Sequence, residues 1–174
     1  MADSGITKKA LAMAFLRLTE EESISQIAIG EICEKCEMNR KSFYYHFRDK
    51  YDLIIWIYDT EFEKYNKDSS YTNVWELFTN ICCVLDGKRK FYRKAFELSG
   101  ENSLKNHIGE LFSCFLREYF VKKAGDFENV EEYIEFIKDS LVTSIEKWLN
   151  KREYLKPEIF TEVIKKCFFE AGKI

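Results

Sequence analysis

Between Asn39 and Lys50 the chain reads N-R-K-S-F-Y-Y-H-F-R-D-K, which gathers the donors of Arg40, Lys41, Ser42, Tyr44, Tyr45, His46 and Lys50 into twelve residues. Guanidinium and ammonium groups bind phosphate oxygens, and the arginine fork fits the O6 and N7 acceptors of guanine. Asn39 can accept a hydrogen bond from a free N–H of a first helical turn, so a helix is predicted to start at Arg40. Arg40, Lys41 and Ser42 then fill that turn, the part of a helix-turn-helix that touches base edges or nearby phosphates. Phe43 and Phe47, one turn apart, are expected to face a small core instead. The competing reading for Tyr44 and Tyr45 is plain aromatic packing, and for His46 taken alone it is a core position. A basic helix start, a cap and the following Asp49–Lys50 pair in one stretch favour a helix built to enter a DNA groove.

Charge elsewhere gives no such signal. The formal net charge is −3 and the pI about 5.6, which argues against wholesale affinity for nucleic acid. Up to residue 60 there are eight Lys and Arg against ten Asp and Glu, yet from Arg40 to Lys50 there are four basic residues against Asp49 alone. A weak overall field predicts modest non-specific affinity, with binding that depends on geometry and on two copies of the motif.

A motif of this size needs a body to hold it, and 174 residues with 46% hydrophobic and 16% aromatic content can supply one. One proline, Pro157, and seven glycines interrupt little, which favours an all-α fold. Ala10, Leu11, Ala14, Phe15 and Leu18 make one stripe on a first helix over Ile6 to Leu18, followed by a polar connection over Glu20 to Ser25. Ile27 and Ile29 suggest an extended entry into a short second helix ending near Cys36. The third helix runs from Arg40 to about Phe47. Asp49 can cap a fourth over Lys50 to about Lys67, with Leu53, Ile54, Ile57 and Tyr58 inward. Asp68 to Asn73 is the expected boundary. Beyond it, helices are predicted over Val74 to Asp86, Lys88 to Leu98, Ser103 to Lys123, Val130 to Asn150 and Pro157 to Ala171, with breaks at Gly87, Gly100, Gly125 and Lys151 to Lys156. About nine helices and no strands result, divided as 1–50, a connecting helix over 51–67, and 74–174.

No run of about 18 apolar residues could span a bilayer and no signal-peptide core opens the sequence, so the cytoplasm is the expected compartment, with no membrane partner. Six cysteines lie within apolar helical patterns, as reduced and mostly buried thiols would. Cys33 and Cys36 form a C-x-x-C pair without a second pair at ligand spacing, and His46 and His107 are remote, so no metal is expected. Cys82 and Cys83 are neighbours pointing to different faces, which gives redox sensing little support. Nothing resembles paired catalytic carboxylates, a nucleophile with its base, or a phosphate-cradling glycine loop, so neither enzyme activity nor a cofactor is expected.

The pattern I-x-x-I-C-x-x-C-x-x-N-R-x-S-F-Y-Y-H-F-x-D-K-x-D-L, within residues 6–57, resembles the DNA-binding domain of the TetR family of bacterial transcriptional regulators. That resemblance implies an N-terminal three-helix domain with a helix-turn-helix, a connecting fourth helix, and a C-terminal helical domain for dimerisation and effector binding. It further implies that Tyr44 and His46, the first Tyr and the His of the family's F-Y-x-H-F segment, hold phosphates, as does Lys50, while Tyr45 between them is a DNA-binding candidate. Two departures stand out: Glu37 occupies the turn position where the family usually has glycine, and Ala28 the position of a frequent threonine cap. Glu37 in a left-handed conformation, and a poorly capped second helix, are each expected to cost about 1 kcal/mol. The segment R-K-F-Y-x-K-A-F followed by G-E-N-S, within Gly87 to Ser103, also resembles the subgroup of dihydroxyacetone kinase regulators, although Asp86 and Gly87 stand where that subgroup suggests asparagine.

In the second half Phe96, Asn102, His107, Phe112, Phe115 and Tyr119 are candidates for an apolar effector pocket with a few polar groups. Ordinary core is the plainer account of those aromatics. The last two helices are so broadly apolar that cover from a second chain is expected, through Ile134, Ile137, Leu141, Ile145, Trp148, Phe160, Val163, Ile164, Cys167 and Phe168. Two-fold symmetry of such a homodimer would match a palindromic operator in double-stranded DNA. Three functions stay open: a repressor released by a small-molecule effector, a DNA-binding activator or repressor governed by a regulatory protein, and a helical interaction protein that does not bind DNA.

Overall fold

A computed structural model describes residues 2–66, 71–123 and 128–171, and its described residues form nine helices and no strands. They are α1 (Ala2–Glu21), α2 (Ile29–Lys35), α3 (Arg40–His46), α4 (Lys50–Tyr65), α5 (Val74–Gly87), α6 (Arg89–Phe96), α7 (Leu104–Lys123), α8 (Val130–Asn150) and α9 (Pro157–Ala171). Residues 67–70, which include the predicted end of the fourth helix and half of the expected boundary, lie outside the described residues, as does the break at Gly125. Pro157 opens α9, where its missing N–H leaves no hydrogen bond unmade.

The first helix is longer than its apolar stripe, because the polar Glu20 and Glu21 carry it on to the point where a lysine caps it. The Lys94 ammonium donates to the carbonyls of Thr19 at 2.5 Å and Glu22 at 2.8 Å, groups a helix end otherwise leaves unpaired. Ala28 is extended, as expected, and has no side chain with which to cap α2. Glu31 reaches back instead, its carboxylate accepting the Ala28 N–H at 2.6 Å.

Between α2 and α3 the chain makes a Schellman turn: Met38 N–H donates to Cys33 O at 2.9 Å and Glu37 N–H to Glu34 O at 3.1 Å. Glu37 sits at the position that favours glycine, with φ 56°.

One continuous set of buried side chains runs from α1 to α9. Phe15 of α1 meets Phe91 of α6 edge-on at 6.1 Å, Tyr58 of α4 meets Tyr92 of α6 at 6.2 Å, and Phe78 of α5 lies against Phe112 and Phe160. The short α6 joins most of these parts. Phe91 and Lys94 hold α1, the Tyr92 hydroxyl donates to Glu61 of α4 at 2.6 Å, and Arg89 donates to the Trp148 carbonyl of α8.

Candidate nucleic-acid interface

Helix α3 is fixed at both ends before any ligand arrives. Asn39 Oδ1 accepts the Ser42 N–H at 2.9 Å and the Ser42 hydroxyl at 3.3 Å, closing the first turn; such a cap is worth about 1 kcal/mol. At the other end Asp49 caps α4, accepting the Asp52 N–H at 2.9 Å, while Asp52 accepts the Arg48 N–H at 3.0 Å. Phe43 and Phe47 are buried as a pair 5.7 Å apart and pin the inner face of α3.

What remains on the outer face is Arg40, Lys41, Tyr44 and Tyr45, all exposed, with Ser42 and His46 half-buried. Tyr45 leaves 83% of its surface to solvent and Tyr44 57%, although Tyr44 also meets the buried Phe43 edge-on at 5.6 Å. The Tyr45 ring stands edge-on to His46 at 4.9 Å, which sets a phenol and an imidazole side by side. The Arg40 guanidinium folds back across α2 and lies over Gly30.

Lys50 corrects an expectation. Its ammonium donates to Ile24 O at 2.7 Å, Ser25 O at 2.9 Å and Ile27 O at 3.3 Å, which occupies the three donors a phosphate would need. Lys50 therefore fastens the α1–α2 connection to the first turn of α4. Desolvation in that nest lowers its pKa.

The six residues proposed for an effector pocket do not line one space. Phe96 and Phe112 are packed in the core, Phe115 is half-buried, and Asn102 and Tyr119 are exposed. From His107 to Tyr119 α7 rises roughly 18 Å, more than one small molecule covers. His107 joins a polar cluster, its Nε2 lying 2.7 Å from Asp59 Oδ1 on α4 and its ring edge-on to Tyr58 at 5.9 Å. The Tyr58 hydroxyl is buried without a hydrogen-bond partner among the described residues.

The residues proposed to meet a second chain divide. Ile134, Leu141, Ile145, Trp148 and Phe160 are buried within this chain, and Trp148 stacks on Phe160 with ring centres 5.2 Å apart, so none of these can serve an interface. The periodic stripe was real, but it faces the chain's own core. Ile137 and Ile164 are half-buried, and Phe168 leans on Trp75 at 5.5 Å. Val163 and Cys167 are exposed. Phe136 at 67% and Ile159 at 53% are exposed as well.

Among the described residues no group of His, Cys, Asp or Glu has the arrangement of a metal site. Cys36 donates to the Ile32 carbonyl at 3.2 Å, and burial raises the pKa of Cys33 and Cys36 alike. Burial likewise raises the thiols of Cys82 and Cys83, so neither is a ready thiolate. No helix among the described residues is long and apolar enough to cross a membrane.

Sequence reasoning missed Lys94 and Gly30. Lys94 acts on carbonyls more than 70 residues away, and Gly30 acts by having no side chain; neither property leaves a local pattern.

Comparison with known proteins fits this geometry. A family model described as "Bacterial regulatory proteins, tetR family" matches residues 14–55, and another described as "Transcriptional regulator C-terminal region" matches residues 72–169. The HTH-type dhaKLM operon transcriptional activator DhaS of Lactococcus lactis subsp. lactis (strain IL1403) is 31% identical over 97 residues, which is 55% of this chain and 52% of that protein. The match thus spans about half the relative's length. Two solved structures share the fold: the dihydroxyacetone kinase operon activator DhaS, with TM-score 0.63 at 19% identity over 95% of this chain and 96% of that one, and a TetR transcriptional regulator from Streptococcus agalactiae 2603V, with TM-score 0.64 at 16% identity over 93% of each. With the helix-turn-helix segment and the C-terminal region each matched, the chain belongs to the TetR family of bacterial transcriptional regulators.

Proposed function

We propose that this regulator binds a palindromic operator as a homodimer, with α3 of each subunit in a major groove. Arg40, Lys41 and Ser42 face base edges or adjacent phosphates, and Tyr44, Tyr45 and His46 contact the backbone. The observation that carries the reading is Tyr45, a large ring left 83% exposed on a helix whose ends and inner face are fixed, with the exposed Arg40 and Lys41 at the start of the same helix. A side chain so placed contributes little to folding and is available to a phosphate.

The homodimer is assigned to the outer faces of α8 and α9, where Phe136, Ile159 and Val163 are exposed. Burial of such side chains in a symmetric four-helix contact would fix the spacing of the two α3 helices.

Control by a small polar molecule is supported by the Tyr58 hydroxyl, which is buried beside the Asp59–His107 pair at the seam of α4 and α7. A guest that satisfies this hydroxyl binds one arrangement of α4 better than another, and α4 leads directly to α3. Similarity to an operon activator supports activation as the direction of regulation.

Selection of bound duplexes from a random pool at stated salt tests the main reading. A palindromic consensus is expected, and recovery of unrelated sequences overturns it. Sedimentation of the wild type against Phe136→Glu tests the dimer, which the charge should dissociate. A metabolite screen by thermal shift tests the effector, whose stabilisation Tyr58→Phe should diminish. Absence of any shift would favour a regulatory protein.

A further inference from the structure

Gly30 is the second residue of α2 and is itself buried, although it has no side chain to bury. What covers it is the Arg40 side chain, arriving from the first residue of α3. A Cβ placed on Gly30 would lie 2.5 Å from Arg40 Nη2, 3.2 Å from Nε and 3.3 Å from Cζ. The three nearest atoms all belong to the far end of one flexible side chain. A methyl group here would therefore displace the guanidinium while leaving the backbones of α2 and α3 where they are.

The guanidinium in that notch has no carboxylate partner among the described residues, so no ion pair holds it there. The N-terminus of α2 carries partial positive charge, and Glu31, the acid of its first turn, turns its carboxylate to the Ala28 N–H at 2.6 Å and forms no ion pair with Arg40 among the described residues. The notch orients the fork by shape. A bidentate contact with guanine demands that both N–H directions be set within a narrow range, and an arginine held in one pose loses less freedom on binding.

We infer that Gly30 is a specificity-determining residue of this regulator, a positioning notch that presents the Arg40 guanidinium to a guanine in the operator. The inference rests on the reading of Arg40 as a base contact. Gly30 itself touches no base.

The test takes the consensus duplex selected by the wild-type chain and a panel with each base pair replaced in turn. Arg40→Ala is expected to lower discrimination roughly tenfold at one base pair per half-site. Gly30→Ala is expected to lower discrimination at the same base pair several-fold, to add nothing in the Arg40→Ala background, and to leave the thermal midpoint unchanged or raised, since alanine favours a helix. Gly87→Ala, a change with nothing within 4 Å, serves as the control and should leave the profile untouched. If Arg40→Ala alters no base preference, the base-contact reading and the inference fall together. If it does while Gly30→Ala keeps the wild-type profile, or weakens all duplexes equally, the notch alone is refuted.

Discussion

Aromatic rings serve opposite ends of this molecule in opposite ways. On α3, Tyr44 and Tyr45 stand in solvent, backed by a cap at Asn39 and two buried phenylalanines. On α8, Trp148 is 2% exposed: it stacks on Phe160, carries the Arg89 guanidinium over its ring, meets Tyr154 edge-on, and donates its indole N–H to Leu155 O at 2.8 Å. The same residue class is available for binding in the first region and committed to folding in the second. What separates them is whether another segment of the chain returns to cover the ring.

The largest test of that contrast is Trp148→Ala. Loss of a stacked, hydrogen-bonded ring should destabilise the chain by about 3–5 kcal/mol in chemical denaturation, with DNA affinity falling only as the folded fraction falls. A loss under 1 kcal/mol would mean the covered ring is not holding the C-terminal helices together. Lys50→Met comes next. Leaving the carbonyls of Ile24 and Ile27, both part-buried, without this donor should cost roughly 1 kcal/mol or more of stability. The slope of DNA affinity against salt should stay as in the wild type, whereas a phosphate-binding lysine would take about one unit of that slope with it.

Tyr45→Ala reverses the pattern. Unfolding should move by no more than about 0.5 kcal/mol, as for other exposed positions, while operator affinity drops measurably in a gel-shift titration. A destabilised chain with unchanged affinity would return Tyr45 to the packing role. Glu37→Gly is the smallest effect and has the opposite sign. With φ at 56°, glycine should relieve strain and raise stability by about 0.5–1 kcal/mol, less the entropy glycine adds to the unfolded chain.

The helix-turn-helix was legible because its determinants are local. Asn39 and its cap partner are three residues apart, Asp49 and Asp52 likewise, and Phe43 and Phe47 one turn apart, so a short window contains the whole argument. Even the departure at Glu37 could be located beforehand, since the turn needs a left-handed residue there whatever its type. The C-terminal end of α1 was not legible, because the residue that caps it, Lys94, lies some 72 positions downstream of Glu22.

The partition of α8 and α9 was misread for a related reason. A helix with apolar residues around much of its circumference declares that it will be covered, but periodicity carries no information about whose atoms do the covering. Ile134, Leu141, Ile145 and Trp148 are the side this chain covers itself. The pocket candidates failed similarly, because Phe96 and Phe112 were chosen by type and the core took them first.

The Lys94 ammonium, set on the last carbonyls of α1, has a mechanical consequence. Two charge-assisted hydrogen bonds and the Phe15–Phe91 contact join the N-terminal helix to α6, whose other flanks grip α4 and α8. The three-helix head thus has no free swivel at its rear. Any tilt of that head must either break the Lys94 and Phe91 contacts or carry the two turns of α6 with it.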